Sequence, residues 1–241
     1  MTTEKRGPSI YNMPASVPFI EALISGIYSE KIFNIDRKDP LWLNNIIILL
    51  PTRRACRSLE ENFIRLSNRS SLLLPKIFPI GDIENNDPEF GNLETIIHRN
   101  LPRAISPIRR QLLLAKLIKA WSINNTKISV EKTSTWSIEN VMRLADELTK
   151  LIDSAEIEEV SFSKLKDLAP HEFAHHWQNT IRFLDIVTNA WPDILSEEGL
   201  IDTVTRRNLA IHHICDFWEK CKPQNPIIIA GSTGSIPAVA R

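Results

Sequence analysis

Glycine is scarce in this sequence, with seven residues among 241. None of them belongs to a G-x-x-x-x-G-K-[ST] pattern, whose backbone N–H groups and lysine hold nucleotide phosphates. An α/β nucleotide-binding fold would place that loop at MPASVPF, residues 13–19, which has no glycine, no lysine and two prolines without N–H donors. The turn from Gly231 to Gly234 has no lysine after it and no carboxylate at its strand end to hold Mg²⁺. We therefore expect no ATP hydrolysis and no bound cofactor.

The composition excludes several other classes of protein. Lysine plus arginine and aspartate plus glutamate number 29 each, so no global basic field indicates a nucleic-acid partner, although a local patch is compatible with this balance. Cys56, Cys215 and Cys221 lack CxxC spacing and are typical of reduced thiols. The N-terminus has no signal-peptide core, and no run reaches the ~18 apolar residues of a membrane span. We expect a soluble, cytoplasmic protein that does not contact a membrane.

A zinc-site pattern, H-E-x-x-H, is present at residues 171–175. On a helix this spacing can hold zinc, with Glu172 as the general base of a hydrolase. However, His171 and His175 fall opposite the apolar face of the predicted helix, which consists of Trp177, Ile181, Leu184 and Trp191. A catalytic zinc also needs a third protein ligand, and Pro192 disturbs the helix before Glu197 and Glu198. We interpret the pattern as a coincidence and predict no metal site, with a zinc-dependent hydrolase as the alternative.

The order of apolar segments predicts an α/β fold. Strands are predicted at residues 9–12, 46–50 and 72–82, with helices at 19–28 and from residue 53 between them. Alternation of this kind is typical of a parallel sheet. Residues 89–222 show helical patterns, with Ser106 and Ser137 as predicted N-caps, and Ile227–Ile229 returns to strand chemistry. We therefore predict an α/β core in residues 1–88, an all-helical insertion in 89–222 and a returning core strand in 223–241.

The segment LLPTRRA is the candidate binding site. Thr52, Arg53 and Arg54 follow a predicted buried strand and open a helix, at the sheet edge where open α/β folds bind ligands. A hydroxyl, two guanidinium groups and a helix N-terminus suit phosphate oxygens. The alternative is a helix start with solvated arginines. Arg109 and Arg110 are predicted to lie on a solvated helical face, and the tryptophans in the core.

Five stretches together resemble the N-terminal part of the AddB family, the B subunits of bacterial AddAB helicase–nucleases that process double-strand DNA breaks. In chain order they are IIILLPTRRACRSLEENF, LLPKIFPIGD, LPRAISPIRRQLLLAKLI, HWQNTIRFLDIVTNAWPDILSEEGLID and IIIAGSTGSIPAVAR. The resemblance runs over nearly the whole chain. It implies a RecA-like core of the superfamily 1 helicase type, interrupted by a helical subdomain.

The resemblance also implies a function without ATPase activity. LLPTRRA corresponds to a helicase motif that contacts the single-strand DNA backbone, and Gly231 and Ser232 replace the Asp-Glu pair that holds Mg²⁺ in active helicases. It implies a DNA-binding scaffold that works with an AddA-type helicase–nuclease subunit. Members of the family are several times longer and carry a nuclease with cluster-binding cysteines, so the expectation is a truncated fragment that binds DNA weakly and self-associates. A helical interaction module without a ligand is the third hypothesis.

Overall fold

The computed structural model describes residues 9–29, 38–67, 73–80, 101–126, 136–162, 174–223 and 225–241. These residues form a mixed α/β structure that is predominantly helical and contains a small parallel sheet. They group into two compact units. The first comprises residues 1–82 and 222–232, and the second comprises residues 83–221 and 233–241.

The first unit is built on a three-stranded parallel sheet. Strand β1 (Ile47–Leu50) lies in the centre, between β2 (Lys76–Pro79) and β5 (Ile227–Ile229). Ile47 is in register with both Lys76 and Ile227. Strand β5 thus returns the chain to its first sheet after a long helical block. Residues 233–241, predicted from the sequence to belong to the core, group with the second unit instead.

Two helices accompany the sheet in this unit. Helix α1 (Phe19–Tyr28) and helix α2 (Arg53–Ser67) share a hydrophobic core with β1, in which Ile24, Ile48 and Phe63 are almost fully buried. An exposed ion pair, Arg65 Nη2 to Glu21 Oε1 at 2.7 Å, also joins the two helices.

The predicted strand at Ser9–Asn12 is wrong. These residues form no strand, and the side chains of Ile10 and Tyr11 are 91% and 55% exposed. A strand needs a partner for its backbone groups, and β2 and β5 occupy both edges of β1. The four residues therefore have no place beside the central strand, although their composition favours a strand.

Helices dominate the second unit. They are α3 (Pro107–Thr126), α4 (Ile138–Ile157), α5 (Ala174–Asp185), α6 (Trp191–Glu198), α7 (Thr203–Lys220) and the short α8 (Pro237–Ala240). Their core includes Leu114, Ile118, Ala145 and Trp191, all nearly inaccessible to solvent. None of these helices, and no other in the described ranges, is long and apolar enough to cross a membrane.

The N-cap predicted at Ser137 is confirmed, because its hydroxyl accepts a hydrogen bond from the backbone N–H of Asn140 at 3.2 Å. The prediction of an all-helical insertion needs a correction. Strands β3 (Arg103–Ala104) and β4 (Leu200–Ile201) form a parallel pair within this part of the chain. The pair is only two residues long, too short for apolar periodicity to reveal it.

Pro192 explains a local widening of the helix before it. A π-helical segment, Ile186–Ala190, separates α5 from α6, and the N–H of Trp191 donates to the carbonyl of Ile186. Proline has no N–H, and its ring clashes with the carbonyl four residues earlier, which disfavours a regular α-turn. The predicted disturbance of the helix at this position is confirmed.

Candidate functional site

Thr52, Arg53 and Arg54 lie together at the carboxyl end of β1, where α2 begins. The Thr52 hydroxyl accepts a hydrogen bond from the N–H of Ala55 at 3.1 Å, and its carbonyl accepts one from the N–H of Cys56, also at 3.1 Å. Thr52 is therefore the N-cap of α2, a position that threonine favours. Arg53 and Arg54 occupy the first turn of the helix, and both side chains are exposed.

The turn after β5 lies beside this site. The N–H of Ala230 donates to the carbonyl of Leu49 at 3.0 Å, so the carboxyl ends of β1 and β5 meet at one edge of the sheet. Gly231 has a φ of 68°, and a β-carbon added there would lie 3.3 Å from the ring of Phe19 and 3.8 Å from Pro51. Glycine is therefore required for the close contact between this turn and the start of α1.

Among the described residues, the charged side chains in the first turn of α2 are all basic. The first turn of α2 contains no acidic residue, and Arg57, one turn further along, is also exposed. A helix N-terminus carries a partial positive charge, to which the guanidinium groups add. The arrangement suits an anion with several oxygens, such as a phosphodiester, because arginine binds such groups in a two-pronged geometry.

A second cluster of charges lies in the helical unit. Arg110 of α3 is only 5% exposed, and its Nη1 lies 2.5 Å from Asp153 Oδ1 of α4. Its Nε lies 2.8 Å from Oδ1 of Asp202, the N-cap residue of α7. That contact is an ion pair without hydrogen-bond geometry, since neither atom has a hydrogen-bond partner. Asp202 is 2% exposed, and its Oδ2 accepts a hydrogen bond from the Trp191 indole at 2.8 Å.

The prediction that Arg110 lies on a solvated face is therefore wrong, whereas Arg109 is exposed and pairs with Glu198 at 2.8 Å. The sequence contained a signal for this difference. Arg110, Leu114 and Ile118 are spaced at i, i+4 and i+8, and both hydrophobic residues are fully buried. Helical periodicity thus places Arg110 on the core face. Trp191 is buried as predicted, but Trp136 is 39% exposed.

Glu156, one turn after Asp153 on α4, completes the cluster. Burial and the nearby Asp202 carboxylate raise the pKa of Glu156 to about 7. Its Oε2 is shielded from solvent and has no hydrogen-bond partner. The backbone carbonyl of Glu156 accepts a hydrogen bond from the Asn208 amide of α7 at 2.8 Å, which connects the two helices.

Glu156 and Asp202 both line a cavity of about 740 Å³ in the helical unit. The remainder of its wall is mainly apolar and includes Phe162, Val187, Trp191 and Leu195. No pattern in the sequence indicates this cavity, because its wall combines residues from four helical segments and β4.

The H-E-x-x-H pattern lies largely outside the described residues. His171 and Glu172 are not described, and of His175 only the helical backbone, in α5, is described. Within the described parts of the chain, no group of three or more His, Cys, Asp or Glu side chains is placed to hold a metal ion.

Comparison of the chain with protein-family models, curated proteins and solved structures found no match. A proposal of function therefore depends on the geometry of the site and on the motifs in the sequence.

Proposed function

We propose that this chain is the helicase-like, ATPase-inactive N-terminal part of an AddB-type subunit, and that it binds the backbone of single-stranded DNA through Thr52, Arg53 and Arg54. The observation that carries the proposal is the position of these residues. They form a helix N-terminus at the carboxyl edge of a parallel sheet, with two exposed arginines and no acidic residue in the first turn. Ligands bind open α/β sheets at this edge.

The order in which the strands pair supports the proposal that the core is RecA-like. A central strand pairs in parallel with a strand that follows it closely and with another that arrives about 180 residues later, after a helical block. This is the organisation that the AddB resemblance implies. In the proposed assembly the chain is a scaffold for DNA, and an AddA-type subunit supplies the ATP-driven movement.

The proposed DNA binding is tested directly by a charge-removal variant. Fluorescence anisotropy with a labelled single-stranded oligonucleotide should show Arg53→Ala/Arg54→Ala binding roughly 5- to 30-fold more weakly, because each exposed ionic contact contributes about 0.5 to 1 kcal/mol. The matched control, Lys116→Ala/Lys119→Ala, removes two exposed charges from α3 and should bind like wild type. Equal binding by wild type and the Arg53/Arg54 variant would refute the proposal.

The absence of ATPase activity is a separate part of the proposal. The turn at residues 13–19 offers no glycine or lysine to phosphates, and the turn after β5 has Gly231 and Ser232 where catalysis requires Mg²⁺-binding carboxylates. Purified protein should therefore release no phosphate from ATP above the buffer rate, with or without single-stranded DNA. DNA-stimulated phosphate release that persists through further purification would contradict this expectation.

A further inference from the structure

Phe19 is an aromatic residue whose exposure the pattern of its helix does not explain. Phe19, Leu23 and Ile27 are spaced at i, i+4 and i+8 in α1, so they share one face of the helix. Leu23 and Ile27 are buried in the core of the first unit, whereas Phe19 is 40% exposed. The apolar face of α1 therefore extends beyond the core at its N-terminal end, where it leaves an aromatic residue in contact with solvent.

The ring of Phe19 lies at the carboxyl edge of the sheet. A β-carbon built on Gly231 would lie 3.3 Å from Cζ and 3.5 Å from Cε1 of this ring, and 3.8 Å from Cδ of Pro51. Phe19 and Pro51 therefore lie against the same glycine, in the turn that follows β5. Pro51 directly precedes residues 52–54, so the aromatic ring and the start of α2 are close to each other at this edge.

The surroundings of Phe19 distinguish it from other exposed apolar residues. Single apolar side chains are common on protein surfaces and by themselves indicate no ligand. Beside Phe19, however, the first turn of α2 presents two exposed arginines and no acidic residue, which favours an anionic ligand. A ligand that carries both a phosphate and a flat apolar group matches this combination, because covering the ring removes apolar surface from water.

We propose that Phe19 is a stacking platform for an unpaired nucleobase of the single strand whose backbone the start of α2 binds. This inference rests on the function proposed above, and it adds the part of the ligand that Phe19 recognises. A positively charged surface combined with aromatic side chains is the arrangement by which proteins bind single strands without sequence preference. Phosphates contact residues 52–54, and a neighbouring base stacks on the exposed ring.

Stacking on Phe19 gives the site a preference for single strands over duplex DNA. Phosphate contacts alone supply no such preference, since a duplex also presents phosphates to arginine side chains. Within a duplex, both faces of a base are covered by its neighbours, and unstacking it costs free energy. Phe19 therefore contributes a selectivity that the two arginines lack.

Fluorescence anisotropy with a labelled oligothymidylate tests the stacking through two substitutions at one position. Phe19→Leu keeps an apolar side chain beside Gly231 but removes the aromatic ring, so it should bind at least about fivefold more weakly than wild type. Phe19→Tyr keeps the ring and should bind within about twofold of wild type. Trp136→Leu, the matched control, removes an exposed aromatic ring from the helical unit and should bind like wild type.

Three further measurements separate stacking from a general loss of structure in Phe19→Leu. On an abasic oligonucleotide of equal length, this variant and wild type should bind equally, because no base is present to stack. They should also bind duplex DNA equally, because its bases are already stacked. The slope of log K against log salt concentration should be that of wild type, since stacking releases no counterions, whereas Arg53→Ala/Arg54→Ala should make the slope shallower.

One measurement is independent of any variant. Wild type should bind oligothymidylate at least about fivefold more tightly than the abasic strand, since the two have the same phosphates and differ in the bases available for stacking. Equal affinity of wild type for the two strands would overturn the inference, even if Phe19→Leu failed to fold.

The results for the variants distinguish failure of this inference from failure of the proposed function. If Arg53→Ala/Arg54→Ala weakens binding and Phe19→Leu does not, the stacking is overturned and the phosphate site stands. Equal weakening of Phe19→Leu on the normal and abasic strands would also overturn the stacking, because the substitution would then act on the fold. If Arg53→Ala/Arg54→Ala binds like wild type, the proposed function fails, and this inference fails with it.

Discussion

Individual charged residues have different energetic roles in this protein depending on burial. Arg109 and Arg110 are neighbours in α3, yet the Arg109 side chain is 57% exposed in its pair with Glu198, whereas Arg110 is enclosed with Asp153 and Asp202. An exposed pair contributes little to stability because water and salt screen it. A buried carboxylate that loses its cation cannot be solvated instead, so the two arginines should differ strongly in their effect on stability.

Replacement of Arg110 by methionine tests this difference. Arg110→Met leaves Asp153 and Asp202 without a cation, and we expect the free energy of unfolding to fall by about 3 to 5 kcal/mol. Arg109→Met, which has the same change in size and charge, should lower it by less than about 1 kcal/mol. Urea denaturation followed by circular dichroism measures both values. Similar losses for the two variants would show that the buried cluster does not stabilise the fold in this way.

Glu156 should make stability decrease with rising pH. The pKa of Glu156 in the folded protein is about 7, above the ordinary glutamate value of 4.5, so the folded state retains a proton that the unfolded state loses. The stabilisation is therefore fully present below about pH 4.5 and is lost as the pH rises to about 7. The Glu156 carboxyl is only partly shielded from solvent. We therefore expect the free energy of unfolding to fall by about 1 to 2 kcal/mol over this pH range, which is less than the pKa shift alone would give.

Comparison of Glu156→Gln with wild type isolates this contribution. The variant cannot ionise, so above pH 7 its unfolding free energy should exceed that of wild type, and the difference should shrink towards pH 5. Urea titrations at pH 5, 6, 7 and 8 measure it, with Glu147→Gln as the exposed control. If the difference in unfolding free energy between Glu156→Gln and wild type were the same at all four pH values, the raised pKa of Glu156 would be contradicted.

At the scale of elements, the glycine in the turn after β5 is more constrained than the glycine that ends α6. Gly231 and Gly199 have similar backbone conformations, with φ values of 68° and 63°. A β-carbon at Gly231 would approach the Phe19 ring to 3.3 Å, whereas one at Gly199 would meet no atom within 4 Å. Alanine at either position adds backbone strain of roughly 1 kcal/mol, and at Gly231 it also requires the Phe19 ring to shift by a few tenths of an ångström.

Gly231→Ala should therefore destabilise the protein by about 2 kcal/mol and Gly199→Ala by about 1 kcal/mol. Thermal unfolding followed by circular dichroism compares the two variants. If Gly199→Ala lowered the unfolding temperature more than Gly231→Ala does, the contact between Gly231 and Phe19 would not constrain the turn in this way.

The strands and helices differ in how well the sequence predicts them. Continuous apolar runs indicated the positions of β1 and β5, and the predicted caps Ser106 and Ser137 directly precede α3 and α4. Ser9–Asn12 has a composition suited to a strand, but both edges of β1 are occupied by other strands, and pairing of this kind is not visible locally. The cluster around Arg110 joins residues 43 and 92 positions away, so only the periodicity of α3 could indicate it.

The candidate DNA site was more predictable than the cavity for the same reason. Thr52, Arg53 and Arg54 are consecutive, so a strand-to-helix junction recognised in the sequence is sufficient to place them together. The cavity requires contacts among α4, the π-helical segment, α6, β4 and the start of α7. Such contacts depend on tertiary packing, which no pattern within one segment specifies.

At the scale of the whole molecule, equal numbers of acidic and basic residues make a local patch the only electrostatic basis for DNA binding. The chain has no overall positive field to attract a polyanion from a distance. The proposed function therefore predicts that salt dependence originates largely from the two arginines at the start of α2, and that removing charges elsewhere has no such effect.

The most direct test of the proposed function is the slope of log K against log salt concentration for single-stranded DNA, measured for three proteins. Each lost phosphate contact should make the slope shallower by about 0.7, so Arg53→Ala/Arg54→Ala should differ from wild type by about 1.4. The exposed double control, Lys116→Ala/Lys119→Ala, should keep the wild-type slope. If the Arg53/Arg54 variant has the slope of wild type, or if the control changes equally, the start of α2 is not the DNA-binding site.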